Sequence, residues 1–290
     1  MLDLSRRPEQ FFSKAQSWLV SFEEAPAADA GEKIVVKEPR DVTAVLIRVE
    51  TAQSLSEDAP KKPGALTVVC APPSAQDAPG DEADLEAWVR GGADDHRAAP
   101  VRASVRTART LWLHSRAVAY ASEELSRDAL DALVRFTVAE RETERLEKEV
   151  HALWPVIAKD SRLTHAVEKT DLKRQEHVNA MTVLATKMKA ASLRIQTALE
   201  QLDPALTDPS KRLFAELVLA AGLHDRLELL FEPVQFALEH YELANTRLID
   251  AKASMRENAN FVSEQIMQLV IIALLLAEFV VMLYGIRLFL

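Results

Sequence analysis

The chain contains little glycine and few aromatic residues. Its 290 residues include 7 Gly, and Phe, Trp and Tyr together make up 6% of the sequence. Glycine mostly serves turns and bulges, and aromatic residues favour strands, so this composition favours helix over sheet. The hydrophobic fraction of 48% still supplies enough material for a core. A chain of this length is expected to form one large domain or two small ones.

Cysteine is nearly absent as well. Cys70 is the only one, so no disulfide can form within the chain, and a reducing compartment is expected. Cys70 directly follows the β-branched run Thr67-Val68-Val69. We therefore expect it to be buried in a strand, where a free cysteine packs as a small hydrophobic residue.

Positive charge is not concentrated anywhere in the sequence. The formal net charge is −9, and no basic run is longer than Arg6-Arg7 or Lys61-Lys62. Proteins that bind nucleic acid neutralise phosphates with clustered Lys and Arg, so we expect no nucleic-acid partner. Residues 1–22 carry several charges and no continuous apolar stretch, so no secretory signal is predicted. The body of the protein is therefore expected in the cytoplasm, and the bias toward Ala, Arg and Asp suggests a bacterial genome.

Motifs of catalysis and metal binding are missing too. The sequence has no HExxH, Glu-x-x-His, GxxxxGKS/T, GxGxxG or GxSxG. Among its 7 histidines, His177 and His240 each follow a glutamate directly. Neighbours on a helix point to different faces, so we expect the pairs Glu176-His177 and Glu239-His240 to be exposed. The sequence thus predicts no catalytic residue, no cofactor, no metal site and no enzyme.

One long apolar run stands out against these absences. It extends from Ile266 to Leu290, and its strongly polar residues are Gln268, Glu278 and Arg287. A bilayer core of roughly 30 Å needs about 20 apolar residues in a helix, so the run predicts a transmembrane anchor in contact with membrane lipid.

The basic residues around this run predict its orientation. Arg247, Lys252 and Arg256 precede it, and Arg287 lies at its far end. Positive residues stay on the cytoplasmic side. We therefore expect a single-pass protein of the bacterial inner membrane with its N-terminal body in the cytoplasm.

Glu278 lies near the middle of the predicted span, where a carboxylate is costly. Ion conduction, a proton relay or an interhelix contact would explain it. We favour a protonated Glu278 that is hydrogen-bonded to a partner helix, because the span contains no other carboxylate, His or Lys. Such a residue predicts self-association, and so a homo-oligomer.

The N-terminal part of the sequence predicts mixed α/β structure. Short runs rich in β-branched residues, bounded by Pro, Gly and Asp, are typical of strands. A short helix is expected at residues 84–90, and the loops 24–32, 51–64 and 71–83 are expected to be mobile surface segments. The predicted strands cover residues 34–36, 42–49, 65–70, 111–113 and 117–120.

From Ser126 onward the apolar residues recur at helical spacing. Ser126 is a good N-cap for a first helix, which Pro155 is expected to end or kink, with a solvated stretch at residues 141–145. Further helices are predicted from 170 or 171 to 202 and from 211 to 230. Pro233 is expected to start a fourth, which continues through residue 259 into the span. In the second helix, the heptad-like stripe consists of Met181, Leu184, Met188, Ile195, Leu199 and Leu202.

The predicted fold class is therefore α+β. We expect a small α/β domain at residues 1–121 and an antiparallel, coiled-coil-like helical bundle at 122–260. A single transmembrane helix at 261–290 completes the predicted organisation. The heptad stripes could close within one chain or between chains, and the short loops favour closure within one chain.

Three segments resemble the family named for the "required for meiotic nuclear division" proteins. The stretch from His114 to Glu144, with its Ala-Tyr-Ala-Ser-Glu-Glu-Leu-Ser core, is similar to the family's strand and first helix. Residues 230–252 are similar to its penultimate helix, and the final span with Glu278 to its terminal span. The chain has Ser263-Glu264-Gln265 where the family usually has Leu-Glu-Trp. The resemblance implies a membrane-anchored helical protein, often oligomeric, with no catalytic residues to transfer.

Two functional hypotheses follow. The first is a membrane-tethered scaffold or adaptor that binds an unidentified protein partner, because the chain combines an anchor and a bundle without a catalytic motif. The alternative is a subunit of an oligomeric ion channel or transporter. An α/β domain, long helices and a C-terminal span are similar to a magnesium-channel architecture, but that family needs two spans and a Gly-Met-Asn signature, which residues 283–287 lack.

Overall fold

The computed structural model describes residues 15–24, 32–49, 64–73, 81–91, 99–106 and 108–288. The chain forms two compact units: unit 1 is Met1–His151 with Lys187–Val234, and unit 2 is Ala152–Thr186 with Gln235–Leu290. These units do not follow the predicted boundaries at residues 121 and 260. The sheet shares unit 1 with the helical residues that pack on it, whereas the apolar C-terminal residues share unit 2 with helical residues of the predicted bundle.

Unit 1 contains a seven-stranded sheet with the order β2-β3-β1-β4-β7-β6-β5. Neighbouring strands are antiparallel except β4 and β7, which are parallel and joined by a crossover. The strands are β1 Gln16–Glu23, β2 Glu32–Val36, β3 Val42–Val49, β4 Leu66–Ala71, β5 Val101–Val105, β6 Ala108–Leu113 and β7 Arg116–Ala121.

The helices follow the α+β class that the sequence predicts. Short 3-10 turns at Ser161–Thr164 and Lys169–Arg174 connect α2 to α3. The helices are α1 Asp81–Arg90, α2 Glu123–Asp160, α3 Gln175–Glu200, α4 Asp208–Ala220 and α5 Leu223–Leu288.

Both faces of the sheet are covered around β4, β6 and β7. On one face, Leu85 and Val89 of α1 pack with a cluster that includes Leu111 and Tyr120. On the other face, the indole N–H of Trp112 donates to the Thr137 hydroxyl of α2 at 2.9 Å. Because both faces are buried, the sequences of these strands are nearly continuous apolar runs, in which apolar and polar residues do not alternate.

The strand predictions are largely confirmed. The predicted strand 42–49 matches β3, and the runs at 34–36, 65–70, 111–113 and 117–120 lie within or beside β2, β4, β6 and β7. The sequence analysis missed β1 and β5, whose polar residues hide the pattern: Ser17 and Ser21 of β1 are buried. The predicted loops at 24–32, 51–64 and 71–83 lie largely outside the described residues.

Cys70 is buried in β4, as predicted. Burial raises the pKa of its thiol to about 12. The thiol therefore stays protonated at neutral pH, and a protonated thiol is a poor nucleophile.

Two helix boundaries differ from the prediction because of backbone geometry. α2 begins at Glu123, so that Ser126 lies inside the first turn, where its hydroxyl donates to the Glu123 carbonyl at 2.8 Å. The helix also continues through the exposed Pro155 to Asp160. Of the two predicted effects of Pro155, an end to the helix is therefore excluded, and a kink stays a prediction.

The break between the last two helices lies at Gly222 instead of before Pro233. Gly222 has φ of 61°, the left-handed conformation in which helices commonly end. α4 ends just before it, and α5 then runs through Pro233 without interruption. The glycine is the stronger signal in the sequence, because glycine is the residue at which helices commonly end.

Buried residues follow a heptad pattern on three helices. Successive buried positions are spaced alternately by four and three residues, as in the knobs of a coiled coil, except for one interval of seven between Val178 and Ala185 on α3. We call each such line of buried positions a seam. The positions are Thr143, Leu146, Val150, Leu153, Ile157 and Asp160 on α2; Val178, Ala185, Met188, Ser192, Ile195 and Leu199 on α3; Leu223, Leu227, Leu230, Val234, Ala237, Tyr241, Ala244 and Leu248 on α5.

The stripe predicted on α3 is confirmed at three positions, Met188, Ile195 and Leu199. Leu184 is only half-buried, because the adjacent Ala185 occupies the seam. Leu184 was predicted because it is large and apolar, but the buried position on this turn of α3 holds the small side chain of Ala185.

A charged cluster joins α5 to α2 inside unit 1. The guanidinium of Arg226 donates to both carboxylate oxygens of Glu140 at 2.8 and 2.9 Å, and to those of Glu147 at 2.8 and 2.9 Å. Burial raises the pKa of Glu140, while the two carboxylates raise that of Arg226. The nearby stretch 141–145 is not uniformly solvated as expected, since Glu142 and Thr143 are buried.

We expect Leu199→Asp to destabilise the protein by about 3 kcal/mol or more, because it places an unpaired charge at a buried seam position. Leu193→Asp on the same helix is the matched control, since Leu193 is 47% exposed and Leu199 is 6% exposed. Thermal unfolding of the full chain in detergent, followed by circular dichroism, measures both. Equal melting temperatures for the two variants would mean that the seam is not a core.

Candidate functional site

The C-terminal part of α5 exposes a continuous apolar surface. Among the side chains that the structure describes there, the large apolar ones are more than half exposed on every side of the helix, from Phe261 at 61% to Met282 at 66%. Apolar surface in water costs about 25 cal/mol per Å², so a surface of this size requires an apolar environment. The large apolar residues of the predicted span that show this exposure are Ile266, Met267, Leu269, Val270, Ile271, Ile272, Leu274, Leu275, Leu276 and Phe279.

This segment is long and apolar enough to cross a membrane. Its best window has a mean hydropathy of 1.7, and none of that window is buried in the protein. The core helix of a soluble protein would show the opposite, with its apolar side chains covered. From Ile266 to the end of α5 at Leu288 the helix rises about 34 Å, against roughly 30 Å for a hydrocarbon core.

Glu278 lies on this segment with an exposed side chain. Among the residues that the structure describes, none forms a hydrogen bond or an ion pair with its carboxylate. Gln268 lies on the same helix about 15 Å away along the axis, too far to pair with it. If the segment is in lipid, the carboxyl group must protonate or find its partner outside the residues that the structure describes.

The predicted topology residues precede the apolar segment on the same helix. Arg247, Lys252 and Arg256 are all exposed, and the ammonium of Lys252 donates to the Gln175 side chain at 3.4 Å. The side chain of Arg287 lies outside the described residues. None of these three charges is buried by the residues that the structure describes.

A second site, which the sequence analysis missed, lies within unit 2 at the end of α2. Asp160 occupies a seam position, and its side chain is 1% exposed. The carboxylate accepts hydrogen bonds from Arg174, from the His177 ring at 2.8 Å and from the Tyr241 hydroxyl at 3.2 Å. These contacts fasten the turn between α2 and α3 to α5.

The electrostatics of this cluster favour a charged Asp160. Burial alone would raise the pKa of this carboxyl, but the His177 hydrogen bond and the Arg174 charge outweigh it and hold the pKa below its usual range. Burial raises the pKa of Tyr241, whose hydroxyl therefore remains a donor. The cluster therefore stabilises the connection between the α2–α3 turn and α5, and it contains no free nucleophile.

The turn itself is fixed by a second set of charges. The Arg162 guanidinium donates to Glu168 at 2.9 Å and to the buried Asp171 at 2.8 Å. Asp171 also accepts the backbone N–H of Glu168 at 2.9 Å, which forms a capping box at the start of the 3-10 turn.

The expectation that both histidine pairs are exposed is wrong for His240, which is 8% exposed. His177 forms a hydrogen bond with Asp160, while its side chain is still 40% exposed. Glu176 and Glu239 are exposed, as predicted. The heptad register could have predicted the positions of these histidines, because His177 directly precedes the buried Val178 and His240 directly precedes the buried Tyr241.

An aromatic groove adjoins the cluster within unit 2. Its volume is about 530 Å³, and its walls include Trp154, Phe236 and Leu243. Trp154 and Phe236 are 41% and 49% exposed, with ring centroids 5.7 Å apart. Burial lowers the pKa of His240, the next ring along the groove, so this imidazole is neutral at pH 7. The groove is thus an exposed, mainly apolar surface.

Unit 1 contains a smaller pocket of about 280 Å³ beside Pro39, Leu206 and Phe214. Arg135 and Asp203 on its wall pair with each other at 2.8 Å. The N–H of Ala205 and the charge of Arg135 hold the pKa of Asp203 below its usual value. The charges of Arg135 and Asp203 are therefore engaged with each other, while Lys37 and Glu38 also line the pocket and are exposed.

In the part of the chain that the structure describes, no three His, Cys, Asp or Glu side chains come together in a way that could hold a metal ion.

The chain has no match among the models of known protein families and none among the curated proteins. The resemblance to the meiotic nuclear division family therefore remains a prediction from the sequence.

We expect Asp160→Asn to destabilise the protein at pH 7 by about 2 kcal/mol, because hydrogen bonds to a charged acceptor are lost. The folded-state pKa of Asp160 is lowered, so its contribution is complete above the unfolded pKa of about 3.9 and disappears as the pH falls through the folded value. The melting temperatures of wild type and variant should therefore converge below about pH 3.9. The exposed Asp250→Asn on α5 is the control. A constant difference between wild type and Asp160→Asn at all pH values would contradict the assignment.

Proposed function

We propose that this chain is a membrane-tethered scaffold or adaptor protein. The exposed apolar end of α5 is the observation that carries the proposal, because it requires a lipid environment and continues directly from helical residues that are packed in unit 2. In this proposal the chain is a single-pass protein of the bacterial inner membrane. The exposed Arg247, Lys252 and Arg256 keep the body in the cytoplasm.

The described body supports an interaction role over catalysis. Its buried charged groups pair with one another, as Arg226 does with Glu140 and Asp160 with Arg174. The proposal assigns the groove of Trp154 and Phe236 to a protein partner, since exposed aromatic surface of this kind is typical of interaction sites. The resemblance to a family of membrane-anchored helical proteins points in the same direction.

We expect a chain truncated after Asn260 to be soluble and folded. The truncation removes the apolar segment and leaves every buried seam residue of α5 in place. Fractionation of cells after alkaline and high-salt washes should move the truncated protein from the membrane pellet to the supernatant, while the full chain stays in the pellet. Retention of the truncated form in the pellet would mean that another surface is the anchor.

The proposal also includes self-association of the chain in the membrane. The exposed Glu278 carboxylate needs a partner from another helix, so we expect Glu278→Leu to weaken association by on the order of 1 kcal/mol, about a fivefold change. Cross-linking in native membranes measures the distribution of species. Gln268→Leu in the same segment is the matched control. Monomer alone in the wild type would contradict self-association, and an unchanged distribution in Glu278→Leu would exclude this residue as the contact.

Glu278 also keeps the channel hypothesis open, because a carboxylate in a membrane helix is typical of ion pathways. Ion flux in proteoliposomes that Glu278→Ala abolishes would favour a channel or transporter subunit. The scaffold proposal expects no such flux.

A further inference from the structure

The groove of Trp154 and Phe236 presents a row of aromatic rings. The rings of Trp154, Phe236 and His240 follow one another with centroid distances of 5.7 and 6.0 Å. Ala158 and Leu243 supply aliphatic surface beside them. The faces of aromatic rings are negative and their bodies are apolar, so such a row suits a ligand group that is both flat and cationic.

The groove also contains one carboxylate. Of the described residues that line it, Glu239 is the only acidic one, and none is a lysine or an arginine. Glu239 is exposed and follows Phe236 by three residues on α5, so the carboxylate and the ring share one side of the helix. The Gln235 amide donates to Glu239 Oε1 at 2.6 Å, but no cation among the described residues pairs with this carboxylate. Burial lowers the pKa of His240, so this ring adds no positive charge at neutral pH.

Elsewhere the chain shows which group such rings attract. The guanidinium carbon of Arg116 lies 5.1 Å from the ring centroid of Trp88, and that of Arg141 lies 4.8 Å from the ring centroid of Phe22. A guanidinium is planar and weakly hydrated, so it stacks on aromatic faces. Among the described residues, no arginine or lysine covers the two exposed rings of the groove in this way. Their faces therefore have room for a cation from another molecule.

The distance from the membrane segment argues against a lipid headgroup as this cation. Leu243, at the far end of the groove, and Ile266, at the start of the apolar run, belong to the same uninterrupted helix. The rise between them is about 35 Å. In the proposed single-pass orientation the groove therefore lies in the cytoplasm, where the cation has to come from a protein.

We propose that the groove binds an arginine side chain of the partner protein. The guanidinium lies over Trp154 and Phe236 and donates to the Glu239 carboxylate, while the aliphatic stem of the arginine contacts Ala158 and Leu243. The inference rests on the proposed function, which assigns this groove to a protein partner. Arginine fits better than lysine because its planar group can stack and pair with a carboxylate at once, whereas an ammonium is a strongly hydrated point charge.

Binding of short peptides to the full chain in detergent tests the proposal. The probe is acetyl-Leu-Arg-Leu-amide. Two matched peptides replace its arginine by citrulline, which has the same shape without the charge, or by the apolar norleucine. The chain has 4 tryptophans, so nitrogen-15 labelling of tryptophan gives four indole signals in an NMR spectrum, and Trp154→Phe identifies the signal of the groove. Titration at about pH 8, where imidazoles are ordinarily neutral, gives the dissociation constants.

The arginine peptide should shift the Trp154 signal and leave the other three in place. We expect the citrulline peptide to bind about fivefold more weakly, because it lacks the cation. Glu239→Gln should weaken binding of the arginine peptide by a similar factor and leave binding of the citrulline peptide unchanged. Glu257→Gln is the matched control, since it removes one carboxylate from the same helix outside the groove. Both glutamates are exposed, so neither substitution disturbs a core.

The outcomes separate this inference from the proposed function. Equal affinity for the arginine and citrulline peptides, or tightest binding of the norleucine peptide, overturns the arginine inference and leaves the groove as an apolar partner site. Equal weakening by Glu239→Gln and Glu257→Gln overturns the contact with Glu239. No shift of the Trp154 signal with any peptide overturns both the inference and the assignment of the groove to a partner. Failure of the membrane anchor would appear separately, in the fractionation of the truncated chain.

Discussion

The alternating seam of α5 is the constraint on which the rest of the structure depends. Leu227, Val234, Tyr241 and Leu248 are buried at successive seven-residue intervals, with smaller or apolar residues between them. Because one helix supplies this series, the same side chains that form the core also set the rotational phase of everything beyond Leu248 on that helix. The direction in which the helix presents its later side chains is therefore decided by packing several turns earlier. If the seam were interrupted, the packing of the early turns would no longer set the direction of the side chains in the later turns.

Polar residues at seam positions give this architecture its specificity. Asp160 of α2 takes a position that an apolar residue could fill, and three donors satisfy its carboxylate. A buried ionic group of this kind adds little net stability, because desolvation offsets much of the attraction. Its benefit is that only one arrangement of the turn brings Arg174, His177 and Tyr241 to the same carboxylate. Arg226 has a similar role in unit 1, where one guanidinium binds two carboxylates of α2.

These features suit a protein that holds partners in place near a membrane. The buried carboxylates of the described body are each paired with an arginine, and its large exposed apolar surfaces are the end of α5 and the groove of Trp154 and Phe236. Apolar surface recognises lipid and helices, whereas chemistry on a substrate needs polar groups that are held apart from their partners. The physical character of the exposed surfaces is thus consistent with the proposed scaffold.

The sequence by itself determined the elements whose signal is local. The apolar run, the β-branched strands β2, β3 and β4 and the heptad residues Met188 and Ile195 follow from composition and spacing alone. Only the tertiary structure decided which polar residues are buried, since Asp160, His240 and Ser17 look like surface residues until distant segments cover them. It also decided that a helix breaks at Gly222 and continues through Pro233, because a left-handed glycine ends a helix while packing along the seam outweighs the hydrogen bond that a proline removes.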